Sequence, residues 1–121
     1  MPDYCEMWYT KDGLRRIRVY PTEQKRTKKL GPITVWKDQW GVTYSSKYIR
    51  EWAGLSADQK SKAYRDAYQA SREDSLWRIA KDPALESQWE IWKETAKQER
   101  DKALSAIANG EEVPPPKHVW E

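Results

Sequence analysis

Two helix-start patterns divide the second half of the chain into two long helical segments. Ser56 is followed three residues later by Gln59, the capping-box arrangement in which each side chain satisfies a backbone N–H of the other residue. Asp82-Pro83 is the second pattern, an acidic N-cap followed by proline at the first helical position. Apolar residues continue at helical spacing until Asn109-Gly110, which is typical of a helix end. The short joint between the two segments favours an antiparallel helical hairpin.

The first forty-five residues show the alternation and the turn residues of antiparallel strands. Strand-like runs at 4–10 and 14–20 flank Lys11-Asp12-Gly13, and an Asp-Gly pair supplies the positive φ of a tight hairpin turn. A second pair of runs lies at 33–36 and 40–44. We therefore expect three or four antiparallel strands in this part of the chain.

Pro21 and the polar residues that follow it predict a break between the two pairs of strands. Proline has no backbone N–H for a ladder, so we expect it to end the second strand. Residues 22–29 contain too few apolar side chains to pack and are expected to form an exposed basic loop. After the strands, a short helical pattern at 47–53 stops near Gly54.

Together these patterns predict an α+β fold, with N-terminal β-hairpins followed by a short helix and two long helices. At 121 residues the chain has the length of one domain. We expect that domain to span 1–110, with a β-hairpin part at 1–45 and a helical part at 46–110. Residues 111–121 contain three consecutive prolines and are expected to form an extended tail.

The apolar residues are unusual in kind, because the chain has 8 Trp and 7 Tyr but no Phe. With few aliphatic side chains to cover these rings, we expect some of them on the surface, where aromatic residues commonly contact partners. The sequence leaves open whether Trp89 and Trp92 belong to the core, and whether the tail docks or is a free end. The residues predicted to contact a partner are Trp77, Trp89, Trp92, Pro114, Pro115, Pro116 and Trp120.

Positive charge is concentrated in one part of the chain. Residues 11–29 include eight basic and two acidic residues, which gives a local net charge of +6 in a chain whose net charge is +3. This polarity suits an acidic protein, a nucleic acid or lipid headgroups as the partner, and it does not choose among them. The predicted contact residues are Arg15, Arg16, Arg18, Lys25, Arg26, Lys28 and Lys29.

The residues needed for common catalytic and metal sites are scarce. The chain has one histidine, His118, and one cysteine, Cys5, so a cluster of these metal ligands is excluded by count. None of the five glycines belongs to a phosphate-binding loop motif. We therefore expect a protein that is not an enzyme, with no cofactor, no metal and no small-molecule substrate. The chain also lacks an apolar run of roughly 18 residues and an N-terminal secretory pattern, which predicts an intracellular protein without a transmembrane segment.

One stretch around the first long helix resembles a known family. Its residues are Trp52, Leu55, Ser56, Lys60, Tyr64, Arg65 and Tyr68. Their spacing resembles the matrix-side segment of cytochrome c oxidase subunit IV, whose chain then continues into a membrane helix, whereas here Ser75-Leu76-Trp77-Arg78 and a polar helix follow. The shorter pattern from Trp52 to Lys60 also resembles the middle of an HMG box, a DNA-bending domain, although hairpins replace the first helix of that box.

The resemblance to subunit IV implies support of a mitochondrial respiratory assembly from the matrix side; otherwise we expect a cytoplasmic protein. The leading hypothesis is a non-catalytic accessory or structural subunit that binds protein partners in a larger complex. The alternative is a small nucleic-acid-binding or phage-type regulatory protein that uses the basic residues of the stretch 11–29.

Overall fold

The computed structural model describes the backbone of residues 4–10 and 13–116, and the side chains of Tyr4 and of residues 18–116. Antiparallel strands come first and helices follow, so the predicted α+β class is confirmed. The elements in chain order are β1 (Tyr4–Thr10), β2 (Gly13–Thr27), β3 (Gly31–Asp38), α1 (Ser46–Ala53), α2 (Ala57–Lys81), a 3-10 turn (Pro83–Leu85) and α3 (Glu86–Ala108).

The strand β2 is the centre of the sheet and is longer than either of its neighbours. Its first part pairs with β1, from Gly13 opposite Thr10 to Val19 opposite Tyr4. Its second part pairs with β3, from Val19 opposite Asp38 to Thr27 opposite Gly31. The two neighbouring strands therefore lie along different halves of β2, and the first predicted hairpin is confirmed.

The prediction that Pro21 ends the second strand is wrong, because β2 continues through it to Thr27. The register shifts between Pro21 and Glu23, which marks a bulge of the kind that accommodates proline within a sheet. Pro21 also lies beyond the last residue of β2 that pairs with β1. Pairing with β1 therefore does not need the backbone N–H that proline lacks. The predicted basic loop is thus reduced to a turn at residues 28–30.

The prediction of a fourth strand at residues 40–44 is also wrong. The carboxylate of Asp38 accepts hydrogen bonds from the backbone N–H groups of Trp40 (2.9 Å) and Val42 (3.0 Å). These N–H groups are therefore engaged in a local turn and not in a strand ladder. Of the predicted pairing between 33–36 and 40–44, the structure keeps an isolated bridge between Lys37 and Thr43. Trp40 stays 49% exposed at this end of β3.

The first long helix begins where the sequence predicts, whereas Pro83, the predicted first residue of the second, begins a 3-10 turn that precedes α3. The capping box is present, since the N–H of Gln59 donates to Ser56 Oγ (3.2 Å) and the N–H of Ser56 donates to Gln59 Oε1 (2.9 Å). Asp82 accepts from the N–H of Ala84 (3.2 Å) and caps the 3-10 turn before α3 begins at Glu86. α2 and α3 pack together as the predicted helical hairpin.

In the described part of the chain, buried apolar residues form two separate cores. The sheet-side core joins β1, β2, β3 and α1 to the start of α2 and the end of α3; its buried residues include Val19, Trp36, Trp52, Tyr64 and Ile107. The hairpin-end core lies at the other end of the two long helices and consists of Trp89, Trp92 and Ala96, with Tyr68 and Ile79 packed against them.

Residues 111–116, which we call the strap, lie against the preceding part of the chain, and residues 113–116 are buried. Its carbonyl groups accept hydrogen bonds from three aromatic side chains. Trp52 Nε1 donates to the carbonyl of Val113 (3.0 Å), Tyr48 Oη donates to that of Pro116 (2.6 Å), and Tyr64 Oη donates to that of Pro114. Residues 117–121 lie outside the described part of the chain.

Candidate basic interaction surface

The turn between β2 and β3 presents four cationic side chains at one end of the sheet. Lys25 and Arg26 are the last basic residues of β2, and Lys28 and Lys29 form the turn itself; all four are exposed. The hydroxyl of Thr27 accepts from the N–H of Leu30 (3.0 Å) and donates to the carbonyl of Gly31 (2.9 Å). These bonds close the turn and fix the backbone that carries the four cations.

The helix α1 adds a fifth cation, Arg50, from twenty residues further along the chain. Ile49 and Trp52 are buried on one side of α1, which leaves Arg50 on its exposed side. Arg50 and the turn enclose a shallow basic depression of about 400 Å³. The residues that line this basic depression are Lys25, Arg26, Thr27, Lys28, Lys29, Leu30 and Arg50.

The basic depression carries a concentrated positive field. No acidic side chain is among its lining residues, and its five cations make no ion pair within the described part of the chain. Glu51, the nearest acidic residue on α1, lies within 3.9 Å of Lys47 instead. Like charges in a concave surface focus the potential and attract an anion, and the two arginines can each hold a carboxylate or phosphate through two parallel hydrogen bonds.

The structure does not bring all seven predicted basic residues together. Arg18 precedes Arg26 by eight residues on β2, which separates them by roughly 26 Å along the strand. The backbone N–H of Arg18 donates to Gln39 Oε1 (2.6 Å), at the opposite end of β3 from the turn. The backbones of Arg15 and Arg16 pair with β1, and their side chains lie outside the description. The single basic edge expected from the sequence is therefore divided.

The tryptophans predicted as partner contacts have different environments. Trp89 and Trp92 are buried, and their rings stack with centroids 4.9 Å apart, so these two rings form core and not surface. Trp77 is 58% exposed, with Lys81 Nζ 3.8 Å from its ring centroid. Trp120 falls outside the described residues.

The prolines predicted as partner contacts, Pro114, Pro115 and Pro116, are all buried in the strap. Pro114 and Pro115 are each less than 2% exposed. These prolines therefore pack against their own domain, because the polar ends of Tyr48, Trp52 and Tyr64 satisfy the carbonyl groups around them.

A second, smaller concavity of about 120 Å³, which we call the anchor pocket, lies between β3, α1 and the strap. Its polar side chains include Thr34, whose hydroxyl donates to the carboxylate of Glu112 and accepts from Gln24 Nε2 (2.8 Å). Lys60 Nζ lies 5.8 Å from the ring centroid of Trp52. The anchor pocket is lined by Leu30, Pro32, Ile33, Thr34, Trp36, Ile49, Trp52, Ala53, Lys60, Glu112 and Val113.

Arg50 and the anchor pocket are not among the features predicted from the sequence. The pattern of α1 was sufficient to place Arg50 on an exposed face, since Ile49 and Trp52 are its apolar residues. No local pattern in the sequence indicates that this face of α1 lies beside a turn that comes twenty residues earlier in the chain. The pocket depends on the strap, which the sequence placed outside the domain.

Comparisons of the chain with models of protein families, with curated proteins and with solved structures gave no match. The resemblance of residues 52–68 to cytochrome c oxidase subunit IV and to the HMG box therefore stays a prediction. Each helix in the described part of the chain is too short or too polar to cross a bilayer.

Proposed function

We propose that the protein is a non-catalytic accessory subunit that binds an acidic surface of a partner protein through the basic depression. The observation that carries this proposal is the set of five cations around one concavity without an acidic residue in its lining. Complementary charge speeds the encounter of two proteins and fixes their orientation, which is the contribution expected of an accessory subunit. The resemblance of residues 52–68 to a subunit of a respiratory complex supports a role within a larger assembly.

An acidic protein suits the basic depression better than a nucleic acid does. Surfaces that bind single-stranded nucleic acid usually combine cations with aromatic rings on which bases stack. The one apolar side chain in the lining is Leu30, whereas the exposed ring of Trp40 lies at the other end of β3 and that of Trp77 on α2. The division of the basic residues along β2 also leaves no continuous cationic track among the described side chains.

The proposal is tested by titrating the protein with a fluorescent polyglutamate peptide and with an oligothymidine of equal net charge. We expect salt-sensitive binding of polyglutamate that is tighter than binding of oligothymidine at the same ionic strength. The variant Lys28→Glu/Lys29→Glu should weaken polyglutamate binding by about tenfold or more, because it inverts the field of the turn.

The matched control is Arg72→Glu/Lys97→Glu, which makes the same change in net charge at exposed positions of α2 and α3. It should change the dissociation constant by less than about twofold, since exposed charges far from the site are screened. Equal losses in the two variants would contradict a local site. Tighter binding of oligothymidine would favour the nucleic-acid alternative.

A further inference from the structure

The first turns of α3 carry acidic side chains on a solvent-exposed side of the helix. Glu86, Glu90 and Glu94 follow one another at a spacing of four residues, and all three are exposed. This spacing places them along one side of α3, whereas the rings of Trp89 and Trp92 are buried in the hairpin-end core. We call this side of α3 the acidic face.

An apolar side chain lies within the acidic face. Ile91 is 69% exposed, the largest exposure among the large apolar side chains of the described residues. It follows Glu90 directly and lies three residues before Glu94, which is within one helical turn. Lys93 Nζ is 3.1 Å from the carboxylate of Glu90, and an ion pair at such an exposed position is weak. Residues 86–94 include three acidic residues and one basic residue, so this stretch keeps a net charge of −2.

The basic depression has the same organisation with the opposite sign. Its five cations surround Leu30, which is 42% exposed. Each of the two surfaces thus combines one exposed aliphatic side chain with charges of a single predominant sign. Protein interfaces commonly have an apolar centre and a polar rim, and opposite potentials on the two partners steer them together. The acidic face therefore matches the basic depression in both respects.

The two surfaces lie too far apart to meet within one molecule. Leu30 lies beside Gly54, just before α2 begins, so the basic depression is at the sheet end of the helices. The acidic face lies at the opposite end, because α3 begins close to where α2 ends. Glu90 and Ala103, which belongs to the sheet-side core, are thirteen residues apart, or about 20 Å along the helix. Pairing of the two surfaces therefore requires two molecules.

We propose that the acidic partner of the basic depression is a second copy of this chain, which docks the acidic face of its α3 there. This inference rests on the proposed function and names the partner of the same surface. The contact joins two different surfaces, so every copy in a pair keeps one of them unoccupied. Further copies can add head to tail, and the assembly then grows as a chain or closes into a ring.

Sedimentation velocity of the wild-type protein over a range of concentrations tests for this contact. At low ionic strength the average sedimentation coefficient should rise with protein concentration, because the opposite charges attract copies to one another. High salt should return it to the value of a monomer, since salt screens exposed charges. Polyglutamate should have the same effect, because it occupies the basic depression in place of the acidic face.

Two charge reversals, one on each surface, locate the contact. Lys28→Glu/Lys29→Glu changes the basic depression and leaves the acidic face intact. Glu90→Lys/Glu94→Lys does the opposite. Each variant alone should self-associate at least about tenfold more weakly than the wild type. An equimolar mixture should associate again, because the acidic face of the first variant meets the basic depression of the second, a recovery that two misfolded variants would not show.

The matched control is Asp66→Lys/Glu73→Lys, which makes the same change in net charge as the reversal of the acidic face, at exposed positions of α2. It should self-associate within about twofold of the wild type, since exposed charges outside the contact are screened. Self-association that neither reversal weakens, or a mixture that stays monomeric, would overturn the inference. A wild type that stays monomeric at low salt but binds polyglutamate would also overturn it and leave the proposed function standing. Failure of polyglutamate itself to bind would overturn the proposed function.

Discussion

The sheet-side core and the hairpin-end core both depend on large aromatic residues, but they use these residues differently. In the sheet-side core, the buried rings of Trp52 and Tyr64 donate through their polar ends to carbonyl groups of the strap, and Tyr48, which is 39% exposed, donates to a third carbonyl of the strap. In the hairpin-end core, the rings of Trp89 and Trp92 stack on each other. The first core therefore connects distant parts of the chain, whereas the second connects two helices to each other.

Small side chains of α2 are fully buried next along the helix from Tyr68, which packs against the hairpin-end core. Ser71 and Ser75 have no exposed surface, and their hydroxyls donate to the carbonyl groups of Ala67 (2.8 Å) and Ser71 (2.6 Å) one turn earlier. The ring of Tyr68 lies parallel to that of Trp92, and Arg100 stacks over Tyr68 at 4.5 Å. This core has local connections, so we expect it to open more easily than the sheet-side core.

Removing Trp52 should have the largest effect, because it takes away a buried ring and the donor to the carbonyl of Val113 together. Trp52→Ala is expected to lower the free energy of unfolding by about 4 kcal/mol. Urea denaturation followed by circular dichroism measures this change. A loss below about 1 kcal/mol, the level of one ordinary hydrogen bond, would contradict the central role of this ring.

Replacing Trp92 should lower the free energy of global unfolding by less than replacing Trp52 does. Its effect should be confined to the region around the hairpin-end core. Trp92→Ala is expected to lower the free energy of unfolding by about 3 kcal/mol, near the lower limit for deletion of a buried aromatic ring. Hydrogen exchange should show faster exchange along 68–79 and 89–96, with the strands still protected. Equal acceleration of exchange in β2 and β3 would mean that the two cores unfold as one unit.

Removing the hydroxyl of Tyr64 should separate the contribution of its hydrogen bond to stability from the contribution of the packing of its ring. Tyr64→Phe keeps the buried ring and leaves the carbonyl of Pro114 without its donor, so we expect a loss of about 1 to 2 kcal/mol. Trp77→Ala, a change at an exposed position of α2, serves as the comparison and should stay within about 0.5 kcal/mol. Both values come from urea denaturation, and equal losses would contradict the attachment of the strap through aromatic polar groups.

The smallest effect concerns Tyr4, which is buried in the sheet-side core. Burial, and to a lesser extent the negative charge of Glu111, raises the pKa of Tyr4 above its ordinary value near 10. The folded state then keeps the phenol proton that the unfolded chain has already lost. The stabilisation is complete below the unfolded-state pKa and is lost as the pH rises through the folded-state pKa.

In the wild type, the free energy of unfolding should therefore fall more steeply above pH 10 than in Tyr4→Phe, which has no proton to lose at this position. Urea denaturation of both proteins from neutral to alkaline pH measures the difference between the two slopes. Parallel curves would show that the raised pKa of Tyr4 makes no contribution to stability.

Local patterns predicted the helical part of the fold well, because its boundaries depend on neighbouring residues. The capping box of Ser56 and Gln59 and the acidic cap at Asp82 each act within three residues, and both are present. Pro21 shows the limit of such patterns. Its local preference predicts a strand end, but pairing of β2 with β3 and a bulge at Pro21 carry the strand past it.

The candidate site was less predictable, because its parts come from distant positions. The strap carbonyls meet aromatic donors that lie between 50 and 68 residues earlier in the chain. Arg50 reaches the basic depression through the packing of α1 on β3. Charge along the sequence grouped Arg18 with the turn, whereas the extended residues of β2 between them keep them apart. Composition thus predicted a basic surface but not which cations form it.

The fold, and not proximity along the chain, determines which cations form the basic depression. The direct test compares polyglutamate binding by Arg50→Glu and by Arg18→Glu, two equal changes in charge at exposed arginines. We expect Arg50→Glu to weaken binding by about fivefold or more and Arg18→Glu to change it by less than about twofold. A larger loss for Arg18→Glu, or equal losses in both variants, would show that the basic depression is not the binding site.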